Sequence, residues 1–498
     1  MTGRDASPPV GDHTRDPEPP IWPSSGSVHE LLRLHPQARV VQDSVGVTRV
    51  YAGRRGIRLG ALSAGQTSAL EVLGSRSVSF RTLLDSVRGD DEEISELLRR
   101  VREGGWLSVT LTGDGVPLLT FRPLAPAVPP VLELTCDPAE LRLSRFAVLR
   151  AEPSGMVMES PLAHVAVEFH DATLVSLLAS LPGRGPQESS EAVGYGSAVA
   201  PTCPAPRSEV VSEVLSALAR HGFLTPRDGG AEREFPLAQW SQHELLFHSR
   251  TRLGRHDLEY GGTYWAKDIA APLPAIRRPF GGATVQLPRP DLDALRTNDR
   301  TLTEVLEDRR SLRSHNDSAP LTLAQLGEFL YRGARNRERP GGRPGELGNR
   351  PYPSGGAAYE LEIYPLVTRV DGVVAGLYHY DPEKHRLELL ARPGPALTRL
   401  AEAARLSARM PSRPQVTLLV TARFGRVMWK YSAIGYALIL KHVGVLYQVM
   451  YSVATAMGLA GCALGGGDSD AFAAASGLPW ETESTVGEFL LGSTGEEN

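Results

Sequence analysis

Residues that could do chemistry gather in the last two-fifths of the chain. Arg309, Arg310, Ser311 and Arg313 stand within five positions after the helical stretch TLTEVLED. Guanidiniums present paired N–H donors to phosphate oxygens, and a hydroxyl adds one more partner. The same composition also suits a solvated basic helix end, which the helix dipole favours. Pro353, Ser354, Gly355 and Gly356 precede the alternating stretch AAYELEIYPLV. Glycines let a flat ligand approach the backbone and serine supplies a hydrogen bond, although these four residues alone also read as a plain turn. Residues 427–459, VMWKYSAIGYALILKHVGVLYQVMYSVATAMGL, read as one long helix. Lys430, Tyr431 and Gln448 are its polar residues of interest. A helix apolar on most faces belongs at the centre of a domain. Lys430, Lys441, His442 and Gln448 interrupt it, so no uncharged run approaches the ~20 residues of a membrane span. A second Gly-rich loop, GLAGCALGGGDSDAFAAASGL at 458–478, follows.

Several elements must position these residues. An amphipathic helix is predicted at 320–335, a hairpin at 372–390 around Asp381-Pro382, a buried strand at 414–424 and a closing strand at 485–492. The Gly-, Pro- and Arg-rich stretch 337–350 reads as a mobile lid. Upstream, residues 1–26 form a Pro-rich tail of disordered composition. Strands, three helices and a hairpin around Gly113-Asp114-Gly115 then suggest a winged-helix-like module at 28–125. The pattern recurs at 130–230: SELLRRVREGGWLSV in the first module parallels SEVLSALARHGFLTP in the second. A low-complexity insert at 183–206 interrupts the second module. Residues 231–295 read as a connecting helix and Pro-rich linker, and 296–498 as the chemical domain.

Composition narrows the function. The 53 basic and 57 acidic residues leave a net charge of −4. The module helices are acidic rather than basic, so a duplex-reading surface is not expected and no nucleic acid is predicted as partner. A peptide captured by strand addition suits such modules better. Cys136, Cys203 and Cys462 match neither a disulfide framework nor a zinc spacing, which fits a reducing cytoplasm. His243, His248 and His256 lack zinc-ligand helical spacing and read as packing residues. No metal site is predicted. There is no GxGxxG dinucleotide fingerprint.

In order, RRSLR, PYPSGGAAYELEIY, GLYHYD, WKY before the apolar stretch, GLAGCALGGG and VGEFLLG resemble the nitroreductase-like flavoproteins. More narrowly they resemble the SagB/McbC/ThcOx-type azoline dehydrogenases of thiazole- and oxazole-modified peptide biosynthesis. Six motifs in order over about 200 residues carry that resemblance. It implies an α+β fold: a nitroreductase-like FMN domain, dimeric with FMN between protomers, preceded by tandem winged-helix-like modules of peptide-recognition type. By resemblance, Arg309, Arg310, Ser311 and Arg313 hold the FMN phosphate and ribityl chain. Pro353, Ser354, Gly355 and Gly356 lie near the ring and ribityl. The backbone of Leu464, Gly465 and Gly466 lies against the ring, and Gln448 contacts the flavin or the dimer interface. No Lys or Arg follows Lys441, so Arg423 or Arg426 is the candidate to help at the phosphate. Lys430-Tyr431 matches the Lys-Tyr pair that marks azoline dehydrogenases. The implied reaction moves a hydride from an azoline ring to FMN and a proton to a base. Lys430, with a pKa depressed in an apolar pocket, is the expected base and Tyr431 its relay. Implied partners are an azoline-containing precursor peptide and a cyclodehydratase, with molecular oxygen as final acceptor. The alternatives are an NAD(P)H-dependent nitro- or quinone reductase and a non-catalytic leader-peptide scaffold.

Overall fold

A computed structural model describes residues 27–53, 55–125, 140–181, 208–337 and 348–495. The expected tail at 1–26, the insert at 183–206 and most of the expected lid at 337–350 lie outside the described residues. The chain divides into two compact units, Met1–Asp257 and Leu258–Asn498.

The first unit shows the expected order of strands, three helices and a hairpin, Leu107–Gly113 with Val116–Pro123. Its third helix, Asp91–Glu103, is capped by the Asp90 side chain and buries Ile94, Leu97, Leu98 and Val101. That i, i+3, i+4, i+7 stripe contributes about 1.5–3 kcal/mol per fully buried aliphatic side chain. Gly105 closes the helix with φ +71°, where a Cβ would lie 2.1 Å from the Ala125 carbonyl oxygen. The two repeats are not separate bodies. Val116–Pro123 pairs with Val165–Phe169, so strands of both repeats form one six-stranded sheet. Phe121 and Val167, directly opposite each other, are both buried. Pairing there buries apolar side chains that each repeat alone would leave at a sheet edge.

The second unit is built on a seven-stranded sheet. Its strands run Thr284–Gln286, Arg386–Ala391, Gly376–Asp381, Leu361–Val367, Val416–Arg423, Glu483–Ser493 and Leu459–Leu464, with every adjacent pair antiparallel. Leu418 and Val420 face one core with Ile439, Leu446 and Met450. Leu419 between them faces the other core, with Leu397, Leu400 and Phe472. Both sheet faces are therefore covered, and every residue of Val416–Arg423 is buried.

The apolar stretch 427–459 is not one helix. A short helix, Phe424–Met428, ends in a turn. Tyr431–Ser432 then pairs as a strand with Gly261–Gly262, and the long helix spans only Gly435–Ala456. Ala433 has φ +62°, which no helix interior allows. Pairing with a distant segment outweighs helix propensity here. The long helix is long and apolar enough to cross a membrane by composition. In the fold it buries Ile439, His442, Val443, Leu446, Met450 and Val453 against the sheet. Residues 258–295 are no linker, since they supply an edge strand and the partner of Tyr431–Ser432.

Candidate active site

Lys430 and Tyr431 lie in the turn between the short and long helices. Their side chains converge on the PSGG loop. A Cβ built on Gly356 would lie 2.6 Å from the Tyr431 hydroxyl oxygen and 2.8 Å from Lys430 Nζ. Gly356 also has φ +61°. Glycine is therefore required twice over, for backbone conformation and for the close approach of both polar atoms.

The lysine does not have the depressed pKa expected of a base in an apolar pocket. The neighbouring Tyr264 hydroxyl, and after it that of Tyr431, raise its pKa above the ordinary value. Burial acts in the opposite direction but is outweighed because the side chain is only half-buried. At neutral pH Lys430 is therefore a cation. Its Nζ lies 5.1 Å from the Tyr264 ring centroid and 5.2 Å from that of Tyr431.

The PSGG loop is fixed from behind. The Gly355 N–H donates to His442 Nε2 at 2.8 Å, and His442 Nδ1 donates to Glu360 Oε1 at 2.6 Å. The Ser354 hydroxyl reaches Glu360 Oε2 at 3.3 Å and accepts the Tyr359 N–H at 3.0 Å. Glu360 is fully buried and His442 nearly so. A buried carboxylate needs such partners, and this one uses them to hold the loop.

The RRSLR segment docks elsewhere on the same domain. The Leu312 N–H donates to the Gly461 carbonyl at 3.0 Å. The Tyr451 hydroxyl joins Ser311 Oγ at 2.9 Å to the Ala463 N–H at 2.9 Å. Arg309 sits 5.4 Å from the Tyr451 ring centroid. Arg310 and Arg313 are exposed and have no ion-pair partner among the described residues. The strand that receives this segment, Leu459–Leu464, leads into the Gly-rich loop.

Leu464, Gly465 and Gly466 line a cavity of about 350 Å³ together with Tyr436, Tyr447 and Glu488. That volume falls in the range of small-molecule sites. A Cβ on Gly465 or Gly466 would meet nothing within 4 Å, so bare backbone faces the opening. Exposed guanidiniums on a segment that docks against the strand leading into a bare glycine loop suit a group with a phosphate and a flat ring. In this role Arg310, Arg313 and Ser311 would hold phosphate, and the backbone of Gly465 and Gly466 the ring. Glu488 is buried, and desolvation pushes its carboxyl up to about 7.

Gln448 lies on the exposed face of the long helix and reaches Ser452 Oγ at 3.4 Å. Two sequence expectations, for Arg423 and Arg426, need revision. Arg423 is buried and pairs with Glu362 at 3.4 Å, while Arg426 donates to the carbonyls of Ala358 and Leu273. Neither is free for a phosphate. His442 and Tyr264 were not legible as site residues. Their only signals were a histidine inside an apolar helix and the aromatic run EYGGTYW.

Comparison with known proteins adds independent findings. Residues 141–257 match the family of the cyanobactin oxidase ThcOx, and residues 306–493 match the nitroreductase family. The protein MJ1384 of Methanocaldococcus jannaschii, named a nitroreductase, is 32% identical over 186 residues, covering 37% of this chain and 85% of its own length. The trifolitoxin-processing protein TfxB of Rhizobium leguminosarum is 36% identical over 89 residues, covering 18% of this chain and 24% of its own length. The microcin B17-processing protein McbC of Escherichia coli is 32% identical over 120 residues, covering 23% of this chain and 43% of its own length.

Proposed function

This chain belongs to the nitroreductase family, with its resemblance inside that family to the McbC/ThcOx type, and from that premise we propose that it is an FMN-dependent azoline dehydrogenase. Its substrate would be a ribosomally made precursor peptide bearing thiazoline or oxazoline rings, and its product the aromatic thiazole or oxazole. The observation that carries the reading is the convergence of Lys430 Nζ and the Tyr431 hydroxyl on Gly356 of the PSGG loop. A bound flavin supplies the acceptor for the hydride that leaves the ring, with molecular oxygen as the final oxidant. The chain supplies the destination of the proton. Lys430 is cationic at rest, so the Lys430–Tyr431 pair must first give one proton to solvent, and the neutral amine that results takes the proton leaving the ring. The ammonium stabilises negative charge developing beside it.

The relatives named for microcin B17 and trifolitoxin processing support a peptide substrate. The ThcOx match at 141–257 supports peptide recognition by the first unit. A cyclodehydratase that makes the azolines is the proposed partner, and the cytoplasm the proposed location. Homodimerisation is proposed through the exposed stripe Tyr436, Leu440, Gly444 and Gln448, spaced four apart on the long helix. The test is to incubate flavin-loaded protein with an azoline peptide and follow the mass of each ring. Loss of two hydrogens per ring supports the reading, and an unchanged peptide refutes it. The nitroreductase-named archaeal relative favours one second reading, an NAD(P)H-dependent nitro- or quinone reductase. Rapid NADPH consumption with a quinone would favour that reading.

A further inference from the structure

The Lys430–Tyr431 turn is strapped in place by a segment more than 160 positions earlier in the chain. Gly261 and Gly262 pair with Ser432 and Tyr431. Thr263 Oγ1 meets Ser432 Oγ at 2.5 Å, and the Tyr264 N–H donates to the Lys430 carbonyl at 3.0 Å. Trp265 donates its indole N–H to the Met428 carbonyl, and Trp429 returns the contact by donating to the Ala270 carbonyl at 2.6 Å. Tyr264 packs edge-on against Trp429, with ring centroids 5.9 Å apart. The backbone of Tyr264 sits at φ +56°, a left-handed conformation that costs a bulky aromatic residue of the order of 1 kcal/mol or more. Glycine or asparagine would fit there without that cost, so the tyrosine side chain needs another explanation.

The side chain points at the lysine. Lys430 Nζ lies between the Tyr264 and Tyr431 rings, with Gly356 closing a third side. We propose that Tyr264 is the positioning residue of the Lys430–Tyr431 pair, its hydroxyl and ring fixing the lysine amine beside the Tyr431 oxygen and over Gly356. The proposal rests on the reading of Lys430–Tyr431 as the proton-handling pair. The Tyr264 hydroxyl is also the largest influence favouring the charged lysine. The other titratable groups around the turn act elsewhere or more weakly. Tyr431 is on the same turn, and Lys267 lies further along the strap. His442 is committed to Gly355 and Glu360, and Arg426 to backbone carbonyls.

The test is Tyr264→Phe in the full-length, flavin-loaded protein. Phenylalanine keeps the ring and removes only the hydroxyl. Acetylation by a limiting amine reagent at one fixed pH is read by mass spectrometry, with Lys384 and Lys441 as internal standards. Labelling of Lys430 relative to those standards should rise about threefold to tenfold, since a fall of one pKa unit gives tenfold more free amine. An unchanged ratio would overturn the proposal. Tyr264→Gly, which suits the left-handed backbone, provides a second variant should the first not fold, and the same rise is expected. With an azoline peptide, Tyr264→Phe should lower kcat by about tenfold or more and leave KM unchanged. Unchanged kcat would overturn the positioning role. Labelling is read without substrate. A wild-type protein that makes no azole would defeat only the functional reading, and an unchanged labelling ratio only the role of Tyr264.

Discussion

His442 Nε2 accepts the Gly355 N–H at 2.8 Å, so a side chain from the long helix sets the position of the PSGG loop. The other ring nitrogen donates to buried Glu360, which fixes the tautomer. His442→Ala should leave Glu360 short of a partner and cost about 1–3 kcal/mol in stability. It should also lower flavin occupancy, read from visible absorbance. His442→Gln can still donate to Glu360, so its loss should be smaller in both thermal melting and flavin content. Equal losses in the two variants would argue against the hydrogen-bond account.

Lys430→Ala should yield flavin-loaded protein whose azole formation falls by about a hundredfold or more, the usual range for removing a proton-handling group. Gly356→Ala should do nearly the same without touching either polar residue, because its Cβ would displace both the Tyr431 hydroxyl and Lys430 Nζ. Peptide mass spectrometry with a flavin absorbance check separates a lost reaction from a lost cofactor.

Arg310 and Arg313 are the exposed, uncommitted cations of the RRSLR segment. Replacing both by alanine should weaken FMN binding by about tenfold or more, since hydrogen bonds to charged groups contribute about 1.5–3 kcal/mol. Riboflavin, which lacks the phosphate, should bind the variant and the parent alike. Fluorescence titration with the two flavins checks this, and a parallel fall for riboflavin would move the phosphate site elsewhere.

Glu488 gives a pH signature. Its carboxyl is raised from 4.5 to about 7 in the folded chain by burial alone. Between those values the folded state holds a proton that the unfolded state has released, so stability falls as pH rises. The contribution is fully present below about 4.5 and lost by the time pH passes about 7. Urea unfolding of flavin-free protein at pH 5 and pH 8 should therefore differ by up to about 3 kcal/mol more in the parent than in Glu488→Gln.

The dimer proposal has its own check. Leu440→Arg puts a charge in the middle of the exposed helical stripe. It should convert a dimer to a monomer in sedimentation velocity and release flavin. A variant that stays dimeric would place the interface on another surface.

Local signals carried most of what was legible in the sequence. RRSLR, PSGG and the GGG loop are short, contiguous and rich in residues with distinctive chemistry. The helix Asp91–Glu103 is legible from acidic residues in its first turn, basic residues in its last and the Gly104-Gly105 stop. What stayed hidden was non-local. Two- and three-residue strands such as Gly261–Gly262 and Thr284–Gln286 have no periodicity to read. The break at Ala433 arises because Tyr431–Ser432 finds a partner far away in sequence, and the flanking residues alone favour continuing the helix. The pKa of Lys430 was misjudged for the same reason, because Tyr264 belongs to that distant strap.

The motifs begin at Arg309, yet the domain that uses them begins at Leu258. A fragment cut just ahead of the motifs would leave Arg386–Ala391 as a bare sheet edge, open to pairing with other chains. It would also release the Lys430–Tyr431 turn from its strap. A transplantable catalytic cassette must therefore be excised some fifty residues upstream of its first recognisable signature. Chimeras joined at the motif boundary should aggregate, and those joined at Leu258 should remain soluble.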